Sequence, residues 1–199
     1  SRFFTKDVLP LWLTPAKMAD VLPKEEFVDG AGGLKIFIRS WRPTGTARGA
    51  MVISHGFNSH SGQYAWAAQQ FVAAGFAVYA ADLRGRGKSD GPRFHVKQVG
   101  DYVGDVDLAV KLAKSREPGL PVFMLGHSAG GVVACTYALD HPTELVGLIC
   151  ESFAFRVPAP RPALNLIEWI GSWAPDLGVL KLKNKDFTRD QAALATLNA

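Results

Sequence analysis

From position 49 onward, short apolar runs alternate with longer stretches whose apolar residues recur at helical spacing. Residues 50–54, 76–81, 122–125 and 145–150 are runs too short for helices, and they read as strands of a sheet covered on both faces. The last of the 122–125 positions leads into a tight turn. Between these runs, residues 63–74, 99–116 and the stretch after Ser128 carry the helical period. Val103, Val106, Val110 and Ala113 share one face of the second stretch. Gly75 closes the first helix and His141-Pro142 the third. Strand, helix, strand, helix, strand, helix, strand is the order of an α/β fold: right-handed crossovers, a mostly parallel sheet and helices on both faces. Upstream, residues 25–29 and 34–41 flank Gly30-Ala31-Gly32-Gly33 and predict an antiparallel hairpin.

The chemistry concentrates where the 122–125 strand meets the third helix, at Gly126-His127-Ser128-Ala129-Gly130-Gly131. Gly-x-Ser-x-Gly between a strand and a helix has the spacing of a nucleophile elbow. It would hold the Ser128 hydroxyl at the tip of the turn, in front of a helix N-terminus that favours negative charge. Acyl transfer at such a serine needs a base, an acid that orients the base, and donors for the oxyanion. The expected donors are the backbone N–H of Ala129 and that of Phe57, which follows His55-Gly56 after the 50–54 strand.

Composition narrows the class without changing the picture. With 199 residues, 48% of them apolar, the chain can bury one sizeable core. The net charge of +4 comes from basic residues scattered among acidic ones, which argues against nucleic acid as a partner. Cys135 and Cys150 read as buried apolar fillers rather than a disulfide framework. They leave the redox compartment open, with a cytoplasmic setting marginally favoured. No run is long enough to span a membrane. Arg2, Lys6, Asp7 and Pro10 disqualify the first residues as a secretion signal. The first residue is Ser1 rather than Met, which suggests trimming. Asp82, Arg84 and Asp90 cluster in one glycine-rich loop and are expected to form structural ion pairs. No metal and no cofactor is expected.

Three segments carry a family resemblance. They are His55-Gly56-Phe57 with 60–64 (His-Ser-Gly-Gln-Tyr), the loop 82–93 beginning Asp-Leu-Arg-Gly-Arg-Gly-Lys-Ser, and the elbow 126–131. In this order, over about residues 25–152, they resemble monoacylglycerol lipases and related lysophospholipase-like esterases of the α/β-hydrolase fold. The resemblance implies hydrolysis of carboxylic esters of lipid-like alcohols through an acyl-enzyme on Ser128, without a cofactor. Two positions depart from it: Arg86 stands where the family usually has His, and Ala129 where Met is common. Both would alter the wall of the pocket.

The ends of the chain are less regular. Residues 1–23, with Pro10, Pro15, Pro23, Phe3, Phe4 and Trp12, form an extension that suits packing, transient contact with a lipid surface being the alternative. After Phe153 the alternation fails at Pro158, Pro160 and Pro162. Residues 164–173 and 186–197 then predict two helices, the first with a stripe of Leu164, Ile167, Trp169, Ile170 and Trp173. They read as the start of a helical cap over the active-site face, ordinary flanking helices being the alternative. The expected division is therefore 1–23, a core of 24–152, and a cap segment of 153–199.

The resemblance also implies an acid after a seventh strand and a His after an eighth, and neither is present. The internal candidates for the base are poor. His141 lies roughly 20 Å from Ser128 along the same helix, at about 1.5 Å per residue. His127 should leave the turn in another direction, His55 and His60 should brace the oxyanion-side loop, and His95 lies beyond the glycine-rich loop. Glu151, ending the 145–150 strand, is a weak candidate for the acid. The expectation is a fold incomplete at its C-terminus, with a second segment or chain supplying the remaining strands, the acid and the His. The rival is a binding module that keeps the pocket and lacks a complete triad.

Overall fold

The computed structural model describes residues 21–153, together with 160–162 and 165. Six strands and three helices alternate in the order expected: β1 (Lys24–Asp29), β2 (Lys35–Trp41), β3 (Gly49–Ser54), α1 (Ala65–Ala73), β4 (Phe76–Ala81), α2 (Val99–Arg116), β5 (Val122–His127), α3 (Ala129–Asp140) and β6 (Gly147–Glu151). They form one sheet in the order β1-β2-β4-β3-β5-β6. The hairpin β1–β2 and the β2–β4 pair are antiparallel, and every other pairing is parallel. This is the α/β-hydrolase arrangement, with β4 and β3 at the centre of the six strands and β5 beside β3.

The two faces of the sheet follow from the period-two projection of side chains. Ala50 and Val52 of β3, Ala77 and Tyr79 of β4, and Val122 and Met124 of β5 point to one side. There they join Val106, Ala109 and Val110 of α2 and Val133, Ala134 and Tyr137 of α3. The intervening Met51, Ile53, Val78 and Ala80 point to the other side and pack with Trp41 and with Ala68 and Val72 of α1. Helices thus cover both faces. Burying each valine of the α2 stripe contributes roughly 1.5–3 kcal/mol before entropy is counted.

Local chemistry moves some boundaries. The helix expected from residue 63 begins as a 3-10 turn over Ser61–Tyr64 before α1. Asp82 holds that turn, accepting from both the N–H and the hydroxyl of Ser61 at 2.6 Å. β5 is fully buried on one face only, because Phe123 and Leu125 are half-buried. The cysteine reading needs correction: Cys135 is partly exposed and Cys150 is exposed. Among the described residues β6 is the edge of the sheet, so Cys150 lacks a neighbouring strand to cover it.

The expectation for the loop charges also needs correction. Asp82, Arg84 and Asp90 are structural, but they do not pair with one another. Arg84 makes a bidentate ion pair with the buried Asp105 of α2 and a second contact with Asp101 at 3.4 Å. Asp90 accepts from the Lys35 N–H at 2.8 Å. Asp82 also accepts from the Lys88 N–H at 2.8 Å. In a tight loop the nearest donors are backbone N–H groups, and these outcompete a long side chain that would have to fold back.

The chain divides into two compact units, Ser1–Arg156 and Val157–Ala199. In the first, Gln69 of α1 exchanges hydrogen bonds with the Val21 backbone, at 2.8 and 3.3 Å. In the second, Arg161, Pro162 and Asn165 are helical and exposed. The extension over 1–20 and nearly all of the two helices expected within 164–197 lie outside the described residues. Among the described residues no helix is long and apolar enough to cross a membrane.

Candidate active site

Ser128 is the single residue between β5 and α3, and its backbone is at φ 54° and ψ −121°. A non-glycine residue in that region costs about 1–3 kcal/mol and persists only where the surroundings impose it. Here the Ser128 N–H donates to the Glu151 carbonyl at 2.9 Å, and its own carbonyl accepts from the Gly131 N–H at 2.9 Å. The flanking glycines permit the approach. A methyl group on Gly126 would stand 2.6 Å from the Gly130 carbonyl oxygen. One on Gly130 would stand 2.2 Å from the Ser54 oxygen and 2.4 Å from that of His55. Helix α3 therefore sits directly on the end of β3, and Ser128 rides at its front.

The loop after β3 faces the same place. A methyl group built on Gly56 would lie 3.4 Å from the Ser128 Cβ. The Gly56 N–H donates to the Tyr64 hydroxyl at 3.2 Å, and that hydroxyl hydrogen-bonds His127 Nδ1 at 2.8 Å. The next N–H, that of Phe57, has no acceptor among the described residues. Ala129 is the first residue of α3, so its N–H has no carbonyl a turn earlier to meet. Phe57 and Ala129 both line a pocket of about 190 Å³, whose walls also include Val132, Val133, Tyr102 and Arg86.

His55 is 1% exposed and anchors this loop. Its Nε2 lies 3.0 Å from the Leu83 N–H, a group that can only donate, so Nε2 accepts. The ring proton is then on Nδ1, which donates to the Gly56 carbonyl at 2.8 Å. Burial pushes its pKa down to about 4, against the opposing pull of the Gly56 carbonyl and of Asp82. Above the unfolded value of 6.5 both states hold a neutral ring. As pH falls from 6.5 toward 4 only the unfolded chain takes up the proton. Stability should therefore decline across that window by up to roughly 3 kcal/mol, distinct from the carboxylate losses below it. Denaturant titrations of the wild type and of His55→Asn between pH 7.5 and 4.5 would check this. An equal slope in both proteins would assign the decline to other groups.

The remaining expected groups are dispersed. His60 accepts the Gly62 N–H through Nδ1, at 3.1 Å. His141 stacks on Tyr137 at the far end of α3, 4.5 Å between ring centroids. Glu151 contributes its carbonyl to the elbow, while its side chain is exposed. All five histidines of the chain fall among the described residues, and none hydrogen-bonds the Ser128 hydroxyl. Two contributors escaped the sequence reading. Tyr64 lies in a quoted segment, but its bridge between Gly56 and His127 joins positions distant in sequence. Arg86 was visible as a departure, but its burial at 3% exposure was not.

Comparison with known proteins gives a consistent result. A family model described as serine aminopeptidase, S33 (Hydrolase_4), matches residues 45–199. The monoacylglycerol lipase of Mycolicibacterium smegmatis is 34% identical over 172 residues, covering 85% of this chain and 61% of that protein. Human monoglyceride lipase is 34% identical over 146 residues, 72% of this chain and 48% of that protein. Among solved structures, a soluble variant of the Saccharomyces cerevisiae monoglyceride lipase superposes with a TM-score of 0.75 at 22% identity, covering 93% of this chain and 64% of that one. At that identity the likeness speaks to the fold. The Paleococcus ferrophilus monoacylglycerol lipase gives a TM-score of 0.67 at 30% identity, with 80% and 60% covered. The chain thus spans about half to two thirds of the length of these relatives.

Proposed function

The chain belongs to the serine aminopeptidase S33 (Hydrolase_4) family of α/β-hydrolases, and from that premise we propose that it is a serine hydrolase of carboxylic esters with lipid-like substrates, resembling monoacylglycerol lipases. The observation that carries the reading is Ser128, held at φ 54° where a strand meets a helix and facing the loop that bears the Phe57 N–H. In the proposed reaction the Ser128 Oγ attacks the ester carbonyl. The Phe57 and Ala129 N–H groups take the oxyanion, the alcohol leaves with a proton, and water later releases the acid. The family name also suggests a peptide substrate, but the pocket favours an ester. An aminopeptidase must hold a free ammonium group. Among the described residues none that lines this pocket is acidic, and one of them, Arg86, is a cation that would repel an ammonium.

In this reading the base and the acid come from beyond these 199 residues, because no histidine hydrogen-bonds the Ser128 hydroxyl among the described residues. Residues 153–199 are the start of the cap. A fluorophosphonate probe, applied to the protein with the external base present, tests the nucleophile: the adduct is expected on Ser128, located by peptide mass spectrometry. Labelling elsewhere, or none on the folded protein, would favour the non-catalytic binding module. Sustained turnover of a p-nitrophenyl ester by residues 1–199 alone would overturn the external base.

A further inference from the structure

Arg86 does something that the elbow chemistry does not require. The side chain is 3% exposed, lines the pocket beside Phe57 and Ala129, and carries a charge that an arginine does not shed at any ordinary pH. Other half-buried arginines among the described residues are paired: Arg84 with Asp105, Arg116 with Glu26, Arg39 with Glu25. Arg86 has no carboxylate partner among the described residues. Its Nη2 reaches only the neutral Tyr102 hydroxyl, at the long distance of 3.4 Å, and its Nη1 is buried with no hydrogen-bond acceptor among the described residues.

Two aromatic rings close around the guanidinium, Phe57 at 4.3 Å and Phe94 at 4.2 Å from its central carbon. They stabilise the faces of the cation and leave Nη1 unsatisfied. Phe94 reaches this position from a backbone at φ 59°, a strained arrangement for an aromatic residue. Both rings are about half exposed, at 47% and 56%, so they can swing aside without uncovering the core. A buried guanidinium with one unpartnered nitrogen, an aromatic wall that can open and no ion-paired carboxylate among the described residues are together the recognition chemistry of an oxyanion.

We propose that Arg86 makes this pocket an anion-recognising subsite, so that the preferred ligand carries a phosphate or carboxylate group beside its apolar chain. The proposal rests on the reading of this pocket as the substrate site, but its test needs no turnover. Calorimetric titration of the chain would compare n-butyl phosphate, pentanoate and the neutral isostere pentanamide. The two anions are expected to bind about tenfold or more tightly than the amide, the size of one charge-assisted contact. The tighter of the two names the source, phosphate or carboxylate. Arg86→Gln should bring the anions to parity with the amide while amide affinity stays within about twofold, and Arg86→Lys should retain the preference. Nitrogen-15 spectra of the guanidinium report the contact in the wild type, whether or not a variant folds. Equal affinity for anions and amide in the wild type, or a preference that survives Arg86→Gln, would overturn the proposal. Fluorophosphonate labelling of Ser128 in the assembled enzyme, alongside a failed anion preference, would show that the subsite alone had failed; absent labelling there with intact anion preference would fault the hydrolase reading instead.

Discussion

Ser128→Ala is expected to lower ester turnover of the assembled enzyme by about 10⁴-fold or more, with the fold intact. The size follows from the role. In the proposed mechanism no acyl-enzyme can form without Oγ, and the two N–H donors assigned to the oxyanion could assist only direct attack by water. Alanine suits the site otherwise. The Ser128 side chain makes no cap hydrogen bond to α3, and the elbow is held by backbone contacts to Glu151 and Gly131, so the melting temperature should change little. Circular dichroism and stopped assays on p-nitrophenyl butyrate separate the two effects. A variant that keeps more than about a hundredth of the activity would remove Ser128 from the role of nucleophile.

The second large effect is on stability. Gly130→Ala should destabilise the protein by about 3 kcal/mol or more, or prevent folding, because overpacking here has no outlet. The new methyl would meet the Ser54 and His55 carbonyl oxygens at 2.2 and 2.4 Å, and both belong to backbone at the end of the central strand. Relief would require lifting α3 off β3, which dismantles the elbow. Gly104→Ala supplies the contrast within one protein. That glycine is exposed on α2 with open space around it, so alanine should stabilise by roughly 0.5–1 kcal/mol through helix propensity alone. Urea denaturation of the two variants should give changes of opposite sign. A mild cost at Gly130 would mean that α3 sits more loosely on the sheet than the contact distances imply.

The strand and helix order was legible because it is written in spacing. Alternation over β3, β4 and β5 divides their side chains between two faces, and the recurrence of Val103, Val106 and Val110 selects one side of α2. Those periods are consequences of backbone geometry and need no knowledge of distant partners. The elbow was legible for the same reason: strand, Gly-x-Ser-x-Gly and helix are contiguous, and only glycine admits the close contact with β3.

Partners distant in sequence were not legible, and the charged and polar groups demonstrate it. Asp82, Arg84 and Asp90 sit together in the chain, yet they bond to Ser61, Asp105 and Lys35, each brought near by a different crossover. Cys150 looked like core because its neighbours are apolar, and it is exposed because β6 has a strand on one side only among the described residues. The single proton of His55 was placed by the Leu83 N–H, 28 positions away, and Arg86 is left without an ion pair among the described residues because the neighbouring Asp82, Asp90 and Asp105 are engaged by other groups. Hydrophobic periodicity is local because covalent geometry repeats. Charge pairing is settled in space, where a group takes the nearest complementary partner once the sheet has assembled, and that choice belongs to the tertiary structure.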